Sequence, residues 1–210
     1  MKNRFCILIV LLFVLSCKRD STSSPSTFTK DAYPLTVGSW WQYQVDQTSE
    51  GGGYDTIILS AVSMINVGSY IKYTCNITLN GRFIDSGYFL QSDTSLSFTN
   101  NLPSSYFSLF PNFHLKFPVQ TGQYWPGAFP GDSIRVAGVA ANCAGSYGES
   151  FSPCFSTVES YILPHNFKVE NMLLTPKVGL VTQSIDFNSD TAEGGIQIKQ
   201  SLHLISYHVQ

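Results

Sequence analysis

Apolar and polar residues alternate with a period of two along much of the chain from residue 41 onward. In the first such segment Trp41, Tyr43 and Val45 share one face, and polar residues occupy the positions between them. This is the period of a half-buried β-strand, whose successive side chains point to opposite faces. The same criterion predicts strands at 56–65, 70–79, 83–90, 96–99, 133–140, 155–163, 167–174, 180–187 and 196–209. The sequence therefore predicts an all-β fold, a strongly curved antiparallel meander sheet or a partly open barrel with little helix.

Turn signals between these strands indicate that consecutive strands are antiparallel neighbours. Asn80-Gly81 is the strongest of them, because this pair suits a two-residue hairpin turn. In the last strand the alternation fails near Ser201, which predicts a bulge there. Between residues 100 and 131 several prolines exclude a long helix, and at most one helical turn is expected after Leu102.

One phrase occurs twice, at residues 33–41 and 117–125: aromatic, Pro, aliphatic, two spacers, Gly, spacer, aromatic, Trp. Its fixed positions are predicted to be structural anchors, and they are Pro34, Gly38, Trp41, Pro118, Gly122 and Trp125. Proline favours an extended lead-in, and glycine permits the turn that directs the Trp into the core. The phrase marks either a duplicated β unit or one local device used twice. The second interpretation is favoured, because nothing else matches between the halves.

The N-terminal segment has the composition of a secretory signal peptide. Lys2 and Arg4 precede an uncharged apolar run that ends at Ser16, too short to cross a bilayer as a helix, which needs about 20 residues. Val14-Leu15-Ser16-Cys17 resembles the lipobox of bacterial lipoproteins, in which the cysteine is lipidated and the signal is cut before it. Leu15 is bulkier than the residues commoner there. The alternative is an ordinary signal with a chance cysteine, and the resemblance favours lipidation of Cys17.

The chain is accordingly predicted to have three parts. Residues 1–16 are the signal peptide, residues 17–31 a flexible lipidated tether rich in Ser and Thr, and residues 32–210 a single all-β domain. We expect the protein to contact the membrane through its N-terminal lipid, in the cell envelope. Lys18 stands where an Asp would resemble an inner-membrane retention signal, so the outer membrane is expected, on either its periplasmic or its surface face.

Three cysteines remain once Cys6 is removed with the signal and Cys17 is lipidated. Export places them in an oxidising compartment. Cys143 and Cys154 flank a polar, glycine-rich loop that a disulfide would order, and they are predicted to be bonded. Cys75 lies within a predicted strand and is expected to be free and buried. A zinc site is disfavoured, because no CxxC or HxxxH spacing occurs.

Charge argues against a nucleic-acid-binding protein. The chain has 12 basic and 14 acidic residues, and two of the basic ones, Lys2 and Arg4, leave with the signal. Phosphate binding requires clustered Lys and Arg, which are absent from the mature sequence. Charged residues make up only 12% of the chain, a composition that suits strands with hydroxyl-rich outer faces better than helices.

The order of short phrases resembles a recurrent type of uncharacterised bacterial outer-membrane or surface lipoprotein. Chains of this type open with Pro-Leu-x-x-Gly-x-x-Trp-x-Tyr, which matches residues 34–43 here. They carry a central aromatic-Pro-aliphatic-x-x-Gly segment, matched by residues 117–122, and a Val-Gly-Leu-Val phrase, matched by 178–181. Their last strand is of the Leu-x-Ser-Tyr kind, here residues 204–207. The resemblance implies a curved antiparallel sheet on a lipid tether, with no activity assigned.

Motifs of catalytic or metal sites were not found. The sequence has no Gly-x-Ser-x-Gly, phosphate-binding loop or His-Glu-x-x-His. The histidines are separate and are predicted to be exposed or satisfied: His114, His165, His203 and His208. Two pairs of carboxylates could serve glycoside hydrolysis, namely Asp85 with Asp93 and Asp186 with Asp190. They are better explained as turn residues, and residues 186–190 only loosely resemble a calcium loop. We therefore expect no enzyme activity, no cofactor and no metal.

Three classes of function remain. The favoured one is a non-enzymatic binding module that holds an apolar or glycan ligand in the curved sheet, with Trp40 and Tyr88 as ligand-facing aromatics beside Tyr43 and Trp125. The second is a structural or accessory lipoprotein that contacts another envelope protein. The third is a hydrolase with an unrecognised carboxylate site. A deep apolar cavity would favour the first class.

Overall fold

The structure is a computed structural model, and it describes most of the chain beyond the N-terminal segment. The described residues are 28–30, 33–47, 55–100, 110, 112–127, 133–140, 142–163, 166–189 and 196–210. The signal peptide, Cys17, most of the predicted tether and the possible helical turn after Leu102 lie outside them. No helix in the described part of the chain is long and apolar enough to span a bilayer.

Fourteen strands account for the described part of the chain. They are β1 (Trp40–Gln47), β2 (Asp55–Val67), β3 (Tyr70–Leu79), β4 (Arg82–Gln91), β5 (Ser95–Asn100), β6 (Phe113–Lys116), β7 (Tyr124–Pro126), β8 (Ser133–Ala140), β9 (Cys143–Ala144), β10 (Ser150–Phe151), β11 (Cys154–Leu163), β12 (Asn166–Thr175), β13 (Gly179–Ser189) and β14 (Ile196–His208). Twelve of them form one antiparallel sheet in the order β6-β5-β4-β3-β2-β1-β14-β13-β12-β11-β8-β7, and β9 pairs with β10. The sheet nearly closes into a barrel that stays open between β6 and β7, which confirms the predicted all-β fold.

The sheet consists of two meanders of six strands each. Strands β1 to β6 form the first, strands β7, β8 and β11 to β14 form the second, and the two join where β1 pairs with β14. The last two residues of each copy of the repeated phrase are the first two residues of a meander, in β1 and in β7. The halves therefore share their topology as well as the phrase.

The two copies of the phrase also make the same backbone hydrogen bonds. The amide of Gly38 donates to the carbonyl of Ala61, whose own amide donates to Ser39. In the second copy the amide of Gly122 donates to the carbonyl of Val136, whose own amide donates to the carbonyl of Gln123. Both glycines have positive φ, 96° at Gly38 and 81° at Gly122. One residue after each of these contacts, the strand has an extra residue that shifts its register with the next strand. In β2 the extra residue lies between Ala61 and Ser63, and in β8 it lies between residues 136 and 138.

A β-bulge at the same place in each half is a second match that no sequence pattern had revealed. Together with the shared topology, this favours a duplicated six-stranded unit over one local device used twice.

The interior of the barrel is filled with large aromatic side chains from the first meander and from the segment before β1. Tyr33 contacts the rings of Trp41 and Phe89 at centroid distances of 5.2 and 4.9 Å. The rings of Phe89 and Phe98 lie 4.6 Å apart, and all four side chains are buried. Because Tyr33 precedes β1, the chain crosses the end of the barrel before it joins the sheet. This end, which carries Gly38, Gly68, Asp93 and Lys177, is called the proximal end below.

Phe28, which precedes the predicted start of the domain, is buried, and the centroid of its ring lies 4.7 Å from that of Phe155. The structure corrects two expectations. The irregularity of the last strand falls at residue 205, opposite Gln42 and Tyr43, and not near Ser201. The proline-rich region holds two short strands, β6 and β7, which are the edges of the sheet and so tolerate nearby prolines.

Candidate functional site

A groove with a volume of about 290 Å³, lined mainly by residues with polar side chains, lies on the outer face of the sheet. The register of β1, β14, β13 and β12 brings its side chains together, since Asp46 lies opposite Ser201, Ser201 opposite Ser184, and Ser184 opposite Asn171. The polar side chains that line the groove are Asp46, Asn171, Ser184, Asp186, Lys199 and Ser201. Each of them occupies an outward position of its strand, because residues two apart share a face.

The groove contains both charges and neutral hydrogen-bonding groups. Lys199 Nζ lies 3.6 Å from Asp186 Oδ2, and both side chains are about half exposed. The other carboxylate oxygen, Oδ1 of Asp186, has no hydrogen-bond partner among the described residues although it is inaccessible to water. An acceptor in this state is costly unless a donor satisfies it. The exposed part of the Asp186 carboxylate, and not this oxygen, is what a ligand in the groove would meet.

His203 borders the groove next to Ser201 and Asp46. Its Nε2 lies 3.1 Å from Ser201 Oγ and 3.3 Å from Asp46 Oδ2, and its Nδ1 is hydrogen-bonded to Ser146 Oγ. Ser146 belongs to the loop between β9 and β10, which therefore reaches from β8 and β11 across the outer face to β14. The loop is closed by the Cys143–Cys154 disulfide, as predicted, with Cα atoms 6.3 Å apart.

The aligned Ser146, His203 and Asp46 have the residue types of a hydrolytic triad. Acyl transfer also requires hydrogen-bond donors for the oxyanion, commonly the amide of the residue after the nucleophile. Here the amide of Tyr147 donates to the carboxylate of Glu149 at 3.1 Å. A carboxylate at this position would repel the developing negative charge. The three residues therefore fit an anchor for the disulfide-closed loop better than an activated nucleophile.

The predicted Trp anchors are both buried in the core. Trp41 Nε1 donates to the carbonyl oxygen of Val178 at 2.6 Å, and Trp125 Nε1 donates to that of His114 at 3.0 Å. Pro34 is half-buried and Pro118 is exposed, each leading into its glycine turn. Their places in the structure agree with a role as anchors, and the energetic part of that role stays a prediction.

The two aromatics expected to face a ligand both lie on the outer face, away from the groove. Trp40 is half-buried and stacks on His208, with ring centroids 6.3 Å apart. Tyr88 lies under Lys72, whose Nζ is 4.4 Å from the ring centroid. Strands β2 and β3 separate these two aromatics. They do not form one ligand surface.

The inner face of the sheet is not the aromatic-lined cavity that the sequence suggested. Tyr43 and Trp125 are inside but fully buried, and Phe110 and Phe98 fill the space beside them, with Tyr43 and Phe110 rings 5.5 Å apart. Large side chains fill this region because aromatic residues dominate the inward positions of the first meander. An apolar ligand would have to displace them.

A polar cluster lies in the interior on β11, β12 and β13. Glu159 and Glu170 face each other across two strands, and both are buried. Lys168 Nζ lies 2.6 Å from Glu170 and 3.7 Å from Glu159, and Gln183 donates to Glu170 at 2.5 Å. These groups satisfy one another, which is the condition under which buried charges are tolerated. We assign the cluster a structural role.

The other residues considered from the sequence do not form a site. Asp85 lies in β4 and Asp93 in the turn after it, about 26 Å apart along an extended chain, too far for a carboxylate pair. Asp190 and His165 lie outside the described residues. Within the described residues, no three His, Cys, Asp or Glu side chains are placed to hold a metal ion. Burial lowers the pKa of the His114 side chain, and the positive charge of Lys116 lowers this pKa further. Cys75 is free and buried.

The sequence singled out Asp186 and His203 but did not bring them together with the other residues of the site, because these residues are far apart in the chain. Asp46, Ser146 and His203 lie in three separate parts of the chain, and each is an ordinary polar residue in its own surroundings. The sequence indicated only that Asp46 and His203 occupy outward positions on predicted strands. Strand order, which the sequence did not provide, makes them neighbours.

No protein-family profile and no curated protein matches the chain. A solved structure from Bacteroides fragilis, described as an exported protein with a YmcC-like fold, has a TM-score of 0.51 and 12% identity over 84% of this chain and 98% of its own. A structure from Parabacteroides distasonis, described as a lipoprotein, has a TM-score of 0.39 and 10% identity over the same shares of the two chains. At this identity the likeness to the Bacteroides fragilis structure shows the fold alone, and the likeness to the Parabacteroides structure is too low to show even that.

Proposed function

We propose that this protein is an envelope lipoprotein, anchored at Cys17, that binds a small hydroxyl-rich ligand such as a sugar in the outer groove without reacting with it. The groove of mixed donors and acceptors carries this proposal. The lipobox and the description of the Bacteroides fragilis structure as an exported protein support the location. Lys18 favours the outer membrane as the destination.

A sugar suits the chemistry of the groove better than an apolar ligand does. Sugar hydroxyls both donate and accept, so they can bond to the exposed part of the Asp186 carboxylate, to the Ser184 and Ser201 hydroxyls and to Lys199. The volume is at the lower end of small-molecule sites and would hold one or two rings. The buried aromatic side chains of the interior support a ligand outside the barrel over an apolar ligand inside it.

Ligand-observed NMR with a defined panel of neutral mono- and disaccharides tests the proposal. Ser184→Tyr fills the groove and should abolish the binding of any sugar that the native protein binds. Ser97→Tyr is the matched control, because Ser97 is a half-buried serine on the outer side of β5. The proposal is wrong if no sugar binds or if the two variants bind equally. Its non-enzymatic part is wrong if the bound sugar is converted to a product during the measurement.

A further inference from the structure

The hairpin of β2 and β3 extends beyond β1 at the proximal end. Strand β2 pairs with β1 only as far as Ser60, where Trp40 is its partner. Residues 63–67 of β2 pair with residues 70–74 of β3, and no other strand within the described residues pairs with 63–67. On the other side of the hairpin β4 pairs with β3 as far as Ile71 and Gln91. The hairpin therefore projects past β1 with its β2 edge open.

This projecting segment is apolar and exposed on both of its faces. The relative exposures of Met64, Ile65 and Val67 are 47%, 56% and 43%, and that of Tyr70 is 45%. Met64 lies opposite Tyr73, on the inner side of the sheet, whereas Ile65 and Val67 lie opposite Lys72 and Tyr70, on the outer side. No charged residue occurs from Val62 to Ile71. Exposed apolar patches of this kind mark contact surfaces.

The N-terminal segment passes beside β4, the strand next to the hairpin, at the level of the hairpin's tip. Ile71 of the hairpin pairs with Gln91, and Gln91 Nε2 donates to the backbone carbonyl of Lys30 at 3.0 Å. Lys30 Nζ also bonds to Asp93 at 2.7 Å. Phe28 follows Cys17 by eleven positions, and a chain of that length spans at most about 40 Å. An anchor at Cys17 thus keeps the hairpin close to the bilayer.

We infer that the β2–β3 hairpin inserts its tip into the surface of the membrane in which the protein is anchored. This inference rests on the proposed anchorage at Cys17. A lipid surface suits the hairpin better than a partner strand, because strand pairing would use its open edge and leave both apolar faces in water. The unpaired backbone groups of residues 63–67 hold the tip in the polar interface rather than in the hydrocarbon core. Tyr70 and Lys72 are residue types that favour this interface.

The test attaches the mature chain chemically, so that it does not depend on lipidation in the cell. The Cys17 thiol is coupled to a maleimide lipid in vesicles of phosphatidylethanolamine and phosphatidylglycerol. Cys75 will not compete, because it is buried and its pKa is raised to about 12. An environment-sensitive fluorescent amino acid replaces Val67, and in the control it replaces Phe83, which is 62% exposed beside the β3–β4 turn at the opposite end.

We expect the emission maximum of the Val67 probe to shift to shorter wavelength when vesicles are present. Lipids that carry a spin label near the headgroup should quench its emission. The Phe83 probe should show neither change. Introducing Ile65→Ser into the Val67-labelled chain should reduce the shift, while its melting temperature shows that it is folded. Equal behaviour of the two probes would overturn the inference. The inference would also be overturned if the Val67 probe already emitted at shorter wavelength without vesicles and the protein then had the mass of a dimer. In that case a second copy of the chain would cover the hairpin. Failure of Cys17 lipidation in cells would count against the proposed anchorage alone.

Discussion

The indole nitrogen of Trp41 donates a 2.6 Å hydrogen bond to the backbone carbonyl of Val178, in the turn between β12 and β13. Two residues further along each strand, the hydroxyl of Tyr43 donates to the carbonyl of Leu180 at 3.2 Å. The Trp-x-Tyr phrase of the first strand thus binds the Val-Gly-Leu phrase of the second half. This contact gives a physical reason why the two phrases occur in one chain, since each satisfies polar groups that the other buries.

Replacing Trp41 should be among the most damaging single changes to stability. Trp41→Ala is expected to lower the free energy of unfolding by about 3–5 kcal/mol, because it leaves a large cavity. Trp41→Phe should cost about 1–3 kcal/mol, since it leaves the buried Val178 carbonyl without its donor. Urea unfolding measures both. Trp40→Ala is the control, because its half-exposed ring faces the other side, and a larger loss for Trp40 would contradict this register.

Gly179 is predicted to accept no side chain. It has φ of 99°, and a Cβ atom there would lie 2.6 Å from Cε2 of Tyr33. Gly179→Ala should therefore combine about 1–2 kcal/mol of backbone strain with an overpacking cost of about 1–3 kcal/mol. Gly122→Ala separates the two effects, because Gly122 also has positive φ but has no atom within 4 Å of its added Cβ. Equal losses in thermal unfolding would show that the Tyr33 contact is unimportant.

The cysteines should differ sharply in reactivity. Cys75 should resist iodoacetamide at pH 8 in the native protein, because burial raises its pKa to about 12 and leaves almost no thiolate. In denaturant it should be alkylated, and reduction should then expose Cys143 and Cys154. Mass spectrometry of peptides reads each step. Rapid labelling of Cys75 in the native protein would contradict its burial.

The disulfide should contribute measurably to stability. Replacing Cys143 and Cys154 together by Ala is expected to cost about 3 kcal/mol on the chain-entropy estimate for a loop of this length. Urea unfolding of oxidised native protein and of the double variant measures the difference. Cys75→Ala serves as a control for loss of a buried thiol without loss of a cross-link. An unchanged midpoint for the double variant would show that the loop is ordered by other contacts, such as that between Ser146 and His203.

Stability should fall at alkaline pH because of two buried tyrosines. Burial raises the pKa of Tyr33 and of Tyr43, whose hydroxyls lie 3.5 Å apart. Below pH of about 10 the tyrosines are protonated in both states, and their full contribution is present. Above it the unfolded chain releases protons that the folded chain retains, so stability decreases as pH rises. Tyr33→Phe should flatten this decrease, whereas Tyr124→Phe, at an exposed position, should leave it unchanged in alkaline thermal melts.

Anchorage is tested at the predicted lipidation site. Cys17→Ser should abolish incorporation of a labelled fatty acid and move the protein from the membrane fraction to the soluble fraction, because the acyl chains supply most of the binding free energy. Cys6→Ser is the matched control, since Cys6 lies within the predicted signal peptide. Fatty-acid labelling of the Cys17→Ser chain would refute lipidation at this residue.

The sequence by itself determined the local structure of this protein. Alternation with period two identified the long strands almost to the residue, as for β3 and β8, because one face of each strand is buried and polar residues are excluded from it. Burial of Trp41 beside half-exposed Trp40 follows from the same rule. The cysteines that flank a short polar loop were sufficient to pair Cys143 with Cys154.

Only the tertiary structure decided which strands are neighbours. Strand order joins β1 to β14, and that one junction brings Asp46 to Ser201 and His203 and creates the outer groove. It also arranges two six-stranded halves with equivalent bulges, a symmetry too weak in side chains to be seen in the sequence. Which strands pair when they are distant in the sequence depends on the packing free energy of the whole barrel. No local pattern of residues specifies that free energy.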